Sequence, residues 1–313
     1  MSNAIKADLW LILVTILAAI SWMFSKEAVL IMPPLLFISS RFLLAGLLLS
    51  IVGYKQIKQL NWHQLKQALF VGSVFAVGVC FWIMGLYSGV SVTVGGFLSS
   101  LAVIVSPVLA KVLFKESVPI TTWYAIPTAV VGLGFLSLKT GFQVEIGQLF
   151  FMAASFCFAL FFILNTRAAN HREIGSVGEV LEISEKVPAL SLTAVALLVV
   201  GVFAGSLSLL LEDVQGVFNN VSSAIALWVL ASAFIGTALR FFIQTYAQSL
   251  SSESHGVVIM IVEPIWTALL AAAWFHERLA GAEFIGCLLI FLSLIIIRWP
   301  SIYGLFKPKS NRI

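Results

Sequence analysis

The stretch "LYSGVSVTVGGFLSSLAVIVSPVLAKVLFKESV", residues 86–118, decides the fold once residues 247–279, "AQSLSSESHGVVIMIVEPIWTALLAAAWFHERL", are laid over it. The two align without a gap. Gly95 meets Gly256, Ser106 meets Thr267, Ala110 meets Ala271, Phe114 meets Phe275 and Glu116 meets Glu277. The identities are few, but they fall on matching helix positions, and each copy has further apolar spans on both sides. Spans one to five and six to ten therefore read as two copies of a five-helix unit. Because five is odd, the second copy must lie in a membrane with the opposite orientation to the first. Inverted repeats of this kind belong to secondary transporters and place a ligand near the bilayer midplane between the halves.

Composition points the same way. The chain has 313 residues, 60% of them hydrophobic and only 10% charged, with a mean hydropathy of +1.05. A soluble domain carries about 25% charged residues. Apolar windows fall at 9–29, 35–53, 67–84, 90–114 and 123–138, then at 147–165, 187–211, 224–247, 254–275 and 282–299. A span needs roughly 17–25 residues, so the windows predict an all-α membrane protein with ten transmembrane helices. The first run is too long for a signal peptide, ends at Lys26 and Glu27, and lacks an A-x-A site, so it reads as a span. The expected organisation is a first five-helix repeat over 1–140, a second over 141–300 and a cytoplasmic tail over 301–313.

Charge orients this scheme. With the N-terminus inside, one face receives Lys6, Lys55, Lys58, Lys66, Lys115, Arg167, Arg172, Lys186, Arg298, Lys307, Lys309 and Arg312. The other receives Lys139 and Arg278. The positive-inside rule then makes both termini cytoplasmic. The formal net charge of +4 is a matter of loop topology, and no Lys/Arg run suggests a nucleic-acid partner. Neither G-x-x-x-x-G-K-[ST] nor G-x-G-x-x-G occurs, and no cofactor is expected. Cys80, Cys157 and Cys287 lie inside apolar stretches without metal-ligand spacing and read as reduced packing residues. The connection over 165–186 suggests a short surface helix with a Glu182–Lys186 pair.

Two stretches carry a family resemblance. "SWMFSKEAVLIMPPLLFISSRFLLAG" (21–46) holds a first-span Trp and Lys, a proline turn and a second-span Arg. "FIGTALRFFIQTYAQSLSSESHGVVIMIVEPIWTALLAAAWFHERL" (234–279) ends in an intramembrane Pro and an E-R-L turn. Over essentially its whole length the chain resembles the drug/metabolite transporter superfamily, in its ten-span EamA-type branch. It departs from the pattern at Met23, which replaces the family's small residue after the Trp, and at Val103, the counterpart of Pro264, with a proline displaced to Pro107. The resemblance implies movement of small polar metabolites (amino acids, amines and related intermediates) across a bacterial inner membrane, commonly outward and without ATP, with protons as a candidate coupling partner.

The candidate substrate-binding residues come from polar groups at span depth. Helical spacing sets Gly256, Met260, Glu263, Thr267 and Ala271 on one face, matched in the first copy by Gly95, Ser99, Ala102, Ser106 and Ala110. Such small faces suit either a cavity or close helix contact. A charge at the depth of Glu263 costs about 2.5–3.5 kcal/mol on insertion scales and must be paired, hydrated or protonated. It could meet a substrate amine, carry a proton or lock the bundle. Arg240 and Gln244 share a face of the eighth span, with Arg240 a partner for Glu263, a dock for a carboxylate or a side chain snorkelling to the cytoplasmic interface. Arg41 is placed in the interior, while Lys26 either snorkels or adds charge to a cavity wall built by Trp22. Tyr87 and Trp266 are aromatic candidates that could equally face lipid. Pro264 and Pro107 are the expected hinges, Pro264 freeing the carbonyl of Met260. An intramembrane enzyme would need a nucleophile with its base, and a sensor or channel a filter or signalling domain. The sequence offers neither set.

Overall fold

The computed structural model describes residues 3–138, 145–169, 186–219, 222–244, 261–279 and 281–306. Among them ten principal helices and no strand are found. They are α1 (Asn3–Val29), α2 (Pro34–Val52), α3 (Trp62–Tyr87), α4 (Val92–Phe114), α5 (Ile120–Leu138), α6 (Ile146–Ala169), α7 (Ala189–Leu211), α8 (Ser223–Gln244), α9 (Glu263–Phe275) and α10 (Gly281–Phe306). Two short helices, Tyr54–Lys58 and Val214–Asn219, lie between them. Eight of the ten are long and apolar enough to cross a membrane, while the apolar part of α5 (Ile120–Leu136) and the described α9 are shorter. The surface helix expected after Arg167 falls largely outside the described residues, and α6 itself runs on to Ala169.

Local chemistry sets the ends. α3 starts with a capping box in which Asn61 and Gln64 satisfy each other's backbone N–H groups. Pro33 and Pro188 precede α2 and α7 in extended conformation, pre-setting the entry of each helix. α4 and α9 both finish on a non-glycine residue in the left-handed region, Lys115 at φ 56° and His276 at φ 53°. The next amide in each case reaches back to equivalent carbonyls, Glu116 to Ala110 at 3.3 Å and Glu277 to Ala271 at 3.4 Å.

α4 is interrupted along its length. α4 breaks at Leu101, between Val92–Ser100 and Ala102–Phe114. α9 starts after a turn at Ile261–Val262, and Val262 is the alignment counterpart of Leu101. Pro264 therefore lies in the first turn of a helix, where a proline costs no hydrogen bond, rather than bending one from within. Pro107 sits inside the second piece of α4, downstream of the break.

Packing is closest in two antiparallel pairs, α2 with α7 and α5 with α10. Glycine permits both. A Cβ on Gly201 would come within 2.8 Å of the Leu43 amide nitrogen, and one on Gly132 within 2.9 Å of the Gly286 carbonyl. Without a hydrophobic force between helices in lipid, such backbone approach is the main source of association. α3 rests on α6 and α7, α1 on α8 and α9, and α4 on α6 and α9. Exchanging α1–α5 for α6–α10 turns the α3–α6 contact into α1–α8 and the α4–α6 contact into α1–α9, and returns the α2–α7, α5–α10 and α4–α9 pairs to themselves. Leu209, Leu210 and Leu211 are among the many large apolar side chains facing outward, while Arg41, Thr237 and Thr267 are buried. That inside-out distribution suits a hydrocarbon solvent.

Candidate functional site: a buried guanidinium beside a loose ion pair

Arg41 projects from the middle of α2 and is 4% exposed. Its Nε donates to Thr237 Oγ1 at 2.6 Å, Nη1 to Ser25 Oγ at 2.8 Å, and Nη2 to Ser21 Oγ at 2.6 Å and the Gly236 carbonyl at 3.4 Å. The hydroxyls are oriented for this task. Ser25 spends its own proton on the Ser21 carbonyl at 2.6 Å, and Thr237 donates to the Ser232 carbonyl at 3.0 Å, so both turn lone pairs to the guanidinium. Ser21 and Ser25 sit one turn apart on α1. Thr237 lies in a π-helical stretch of α8, Ser232–Leu239, whose wider turn matches the five-residue reach of its bond. The rings of Phe42 and Phe37 lie 5.3 Å and 5.9 Å from the guanidinium carbon. Among the described residues no carboxylate pairs with Arg41. A charge buried with neutral partners alone is an expensive arrangement.

The second charged group is looser. Arg240 Nη2 stands 3.5 Å from Glu263 Oε2, long for an Arg–carboxylate contact, and both side chains are 22% exposed. Arg240 also lies over the Phe241 ring at 5.4 Å. Phe241 meets Phe75 edge-on at 6.4 Å, and Phe75 meets Phe42 at 6.0 Å and stacks on Phe161 at 4.2 Å. Aromatic faces thus run from the Arg41 centre to the Arg240 centre.

The remaining sequence candidates divide. Thr267 is fully buried and donates to the Glu263 carbonyl at 3.0 Å, and Gly96 of α4 packs against it, an added Cβ falling 3.1 Å from its methyl. Ser99 Oγ, Gln244 Oε1, Trp266 Nε1 and Arg240 Nε are buried atoms without a hydrogen-bond partner among the described residues. Each leaves about 1–3 kcal/mol of desolvation uncompensated by the protein. Trp22 is buried edge-on to Trp82 at 4.8 Å and beside Phe151 at 5.8 Å, a packing position. Lys26 donates to the Leu86 carbonyl at 3.1 Å, tying α1 to α3. Tyr87 is 55% exposed at the end of α3, away from these groups. Gly256 and Met260 lie outside the described residues. A separate cavity of about 150 Å³ at the α3–α4 and α5–α6 connections is lined by Ser91, Gln148, Glu145 and Glu283, among others.

Sequence reasoning missed the ring of neutral oxygens around Arg41. Its only signal was the pair of serines spaced four apart near Trp22. It also missed two carboxylates that cap helix starts. Glu212 accepts from the Leu35 and Leu36 amides at 2.9 and 3.0 Å and from Ser208 Oγ at 2.7 Å. Glu277 accepts from the Val92 and Thr93 amides at 2.8 and 3.1 Å and from Thr93 Oγ1 at 2.8 Å.

Comparison with known proteins adds three findings. The model of the EamA-like transporter family matches twice, over residues 5–138 and 145–299. A protein of Archaeoglobus fulgidus described as an uncharacterized transporter is 25% identical over 291 residues, covering 93% of this chain and 85% of that one. A solved crystal structure superposes with a TM-score of 0.60 at 17% identity over 96% of this chain and 99% of the other, a likeness of fold.

Proposed function

The chain belongs to the EamA-like transporter family, a multi-pass membrane protein of the drug/metabolite transporter superfamily, and from that premise we propose a secondary active exporter of small polar metabolites such as amino acids or amines. The observation that carries the substrate class is Arg41, a fully buried cation with only neutral protein partners among the described residues. A solute carboxylate supplies the missing countercharge at Arg41 or Arg240. A solute amine draws Glu263 from its 3.5 Å contact with Arg240. Ser99, Gln244 and Trp266 offer further hydrogen bonds to a polar solute. Two inverted five-helix units exchanging access around this centre are supported by the gapless alignment, the double family match and the interchangeable helix contacts. Lys55, Lys58, Lys66, Lys115 and Arg167 favour the cytoplasm for one end, and the family likeness favours a bacterial inner membrane.

Counterflow in proteoliposomes tests the reading. Labelled amino acids and polyamines are offered in pools, with and without a pH gradient, to wild type, Arg41→Met and Glu263→Gln. Exchange by the wild type and its loss in both variants is expected. Exchange at the wild-type rate by both folded variants would refute the assigned site, and no exchange of any pool by the wild type would refute the solute class.

A further inference from the structure

Glu277 ties the end of α9 to the first turn of α4. His276 in the left-handed region turns the chain so that the carboxylate faces the α4 N-terminus. There it takes two of the amides that a helix start leaves without partners, Val92 and Thr93, together with the Thr93 hydroxyl. Ser91 caps the next amide, Val94, at 3.1 Å. One turn earlier on α9, Trp274 donates to Glu27 of α1 at 2.9 Å. Below the clasp, Gly96 touches Thr267. Below that contact lie the break at Leu101 and the turn at Ile261–Val262.

We propose that the Glu277 carboxylate is a latch holding this end of the α4–α9 interface closed, and that its release lets the segments Val92–Ser100 of α4 and Glu263–Phe275 of α9 part. The proposal rests on the transporter reading for its purpose, though not for its test. Glu212 makes the same chemical contact on α2, but α2 is bound to α7 by close backbone approach, with Gly46 against the Leu198 amide nitrogen and Gly201 against that of Leu43. Its carboxylate finishes a pair that is already joined along its length. Charge-assisted bonds of this kind are strong yet directional, so a shift of one helix end breaks all three on Glu277 together.

The test uses the full chain in lipid nanodiscs, with Cys80, Cys157 and Cys287 replaced by alanine and spin labels on Tyr87→Cys and Ala273→Cys. Pulsed electron spin resonance reads the distance between the ends of α3 and α9. Wild type is expected to give one short distance. Glu277→Ala should raise the long-distance population roughly tenfold, Glu277→Gln less because it keeps one acceptor oxygen, and Glu212→Ala not at all. Distributions for Glu277→Ala that superimpose on wild type would overturn the latch, as would an equal broadening by Glu212→Ala. Should Glu277→Ala not yield folded protein, Thr93→Val, which loses only the hydroxyl bond, decides the matter with an expected rise of roughly threefold. No solute enters this measurement, so the latch and the transport reading fail separately.

Discussion

Two glutamates at helix ends do the same chemistry in different surroundings. Glu212 caps α2 where α2 and α7 are joined by glycines, with a Cβ on Gly46 falling 2.9 Å from the Leu198 amide nitrogen. Glu277 caps α4 where the neighbouring contact is Gly96 against the methyl of Thr267, a contact with a side chain and not between backbones. The lesson is that a hydrogen bond acquires its role from the packing behind it. Three bonds on a joined pair add stability, and three on a yielding interface set a conformational equilibrium.

The contrast can be broken most forcefully at Gly201. Gly201→Leu should destabilise the folded protein by about 3 kcal/mol or more, because its Cβ alone would meet Leu43 at 2.6 Å. Thermal unfolding in detergent checks this, and an unchanged midpoint would show that α2 and α7 are not joined as described. Glu212→Ala should cost about 1–2 kcal/mol in the same assay while leaving counterflow rates within twofold. A transport defect in that variant would make both clasps moving parts. Gly96→Ala should have the smallest effect, under about 1 kcal/mol, since the Thr267 methyl can shift by a few tenths of an ångström. A loss matching that at Gly201 would erase the difference between the two interfaces.

Much of the helix pattern was legible because hydropathy is written continuously along the chain. The windows missed polar ends. α3 runs over Trp62–Tyr87 and not merely 67–84, since Asn61 and Gln64 build a start that no apolar count registers. A pairing of Arg240 with Glu263 is one of several readings the sequence leaves open, and in the structure the two side chains stand 3.5 Å apart. The surroundings of Arg41 were illegible for a plain reason. Thr237 is 196 positions away and reaches the guanidinium only through helix packing. Trp22 and Tyr87 show the same limit, because an aromatic residue in a span does not declare whether it faces core, cavity or lipid. Pro264 shows a different one. A proline in an apolar run reads alike as a kink or as a helix start, and here it marks a start.

The π-helical stretch of α8 holds one residue more than an α-helix of the same height would need. Such a surplus shifts the register of every residue that follows it along the rod. Each such position is turned by about 100°, the angle one residue subtends. Arg240 follows the stretch directly, while Thr237 within it holds Arg41. The surplus residue therefore sets both the bearing of the Arg240 guanidinium and the place of Thr237 in the cradle of Arg41, and tightening the stretch to an α-helix would disturb the two together.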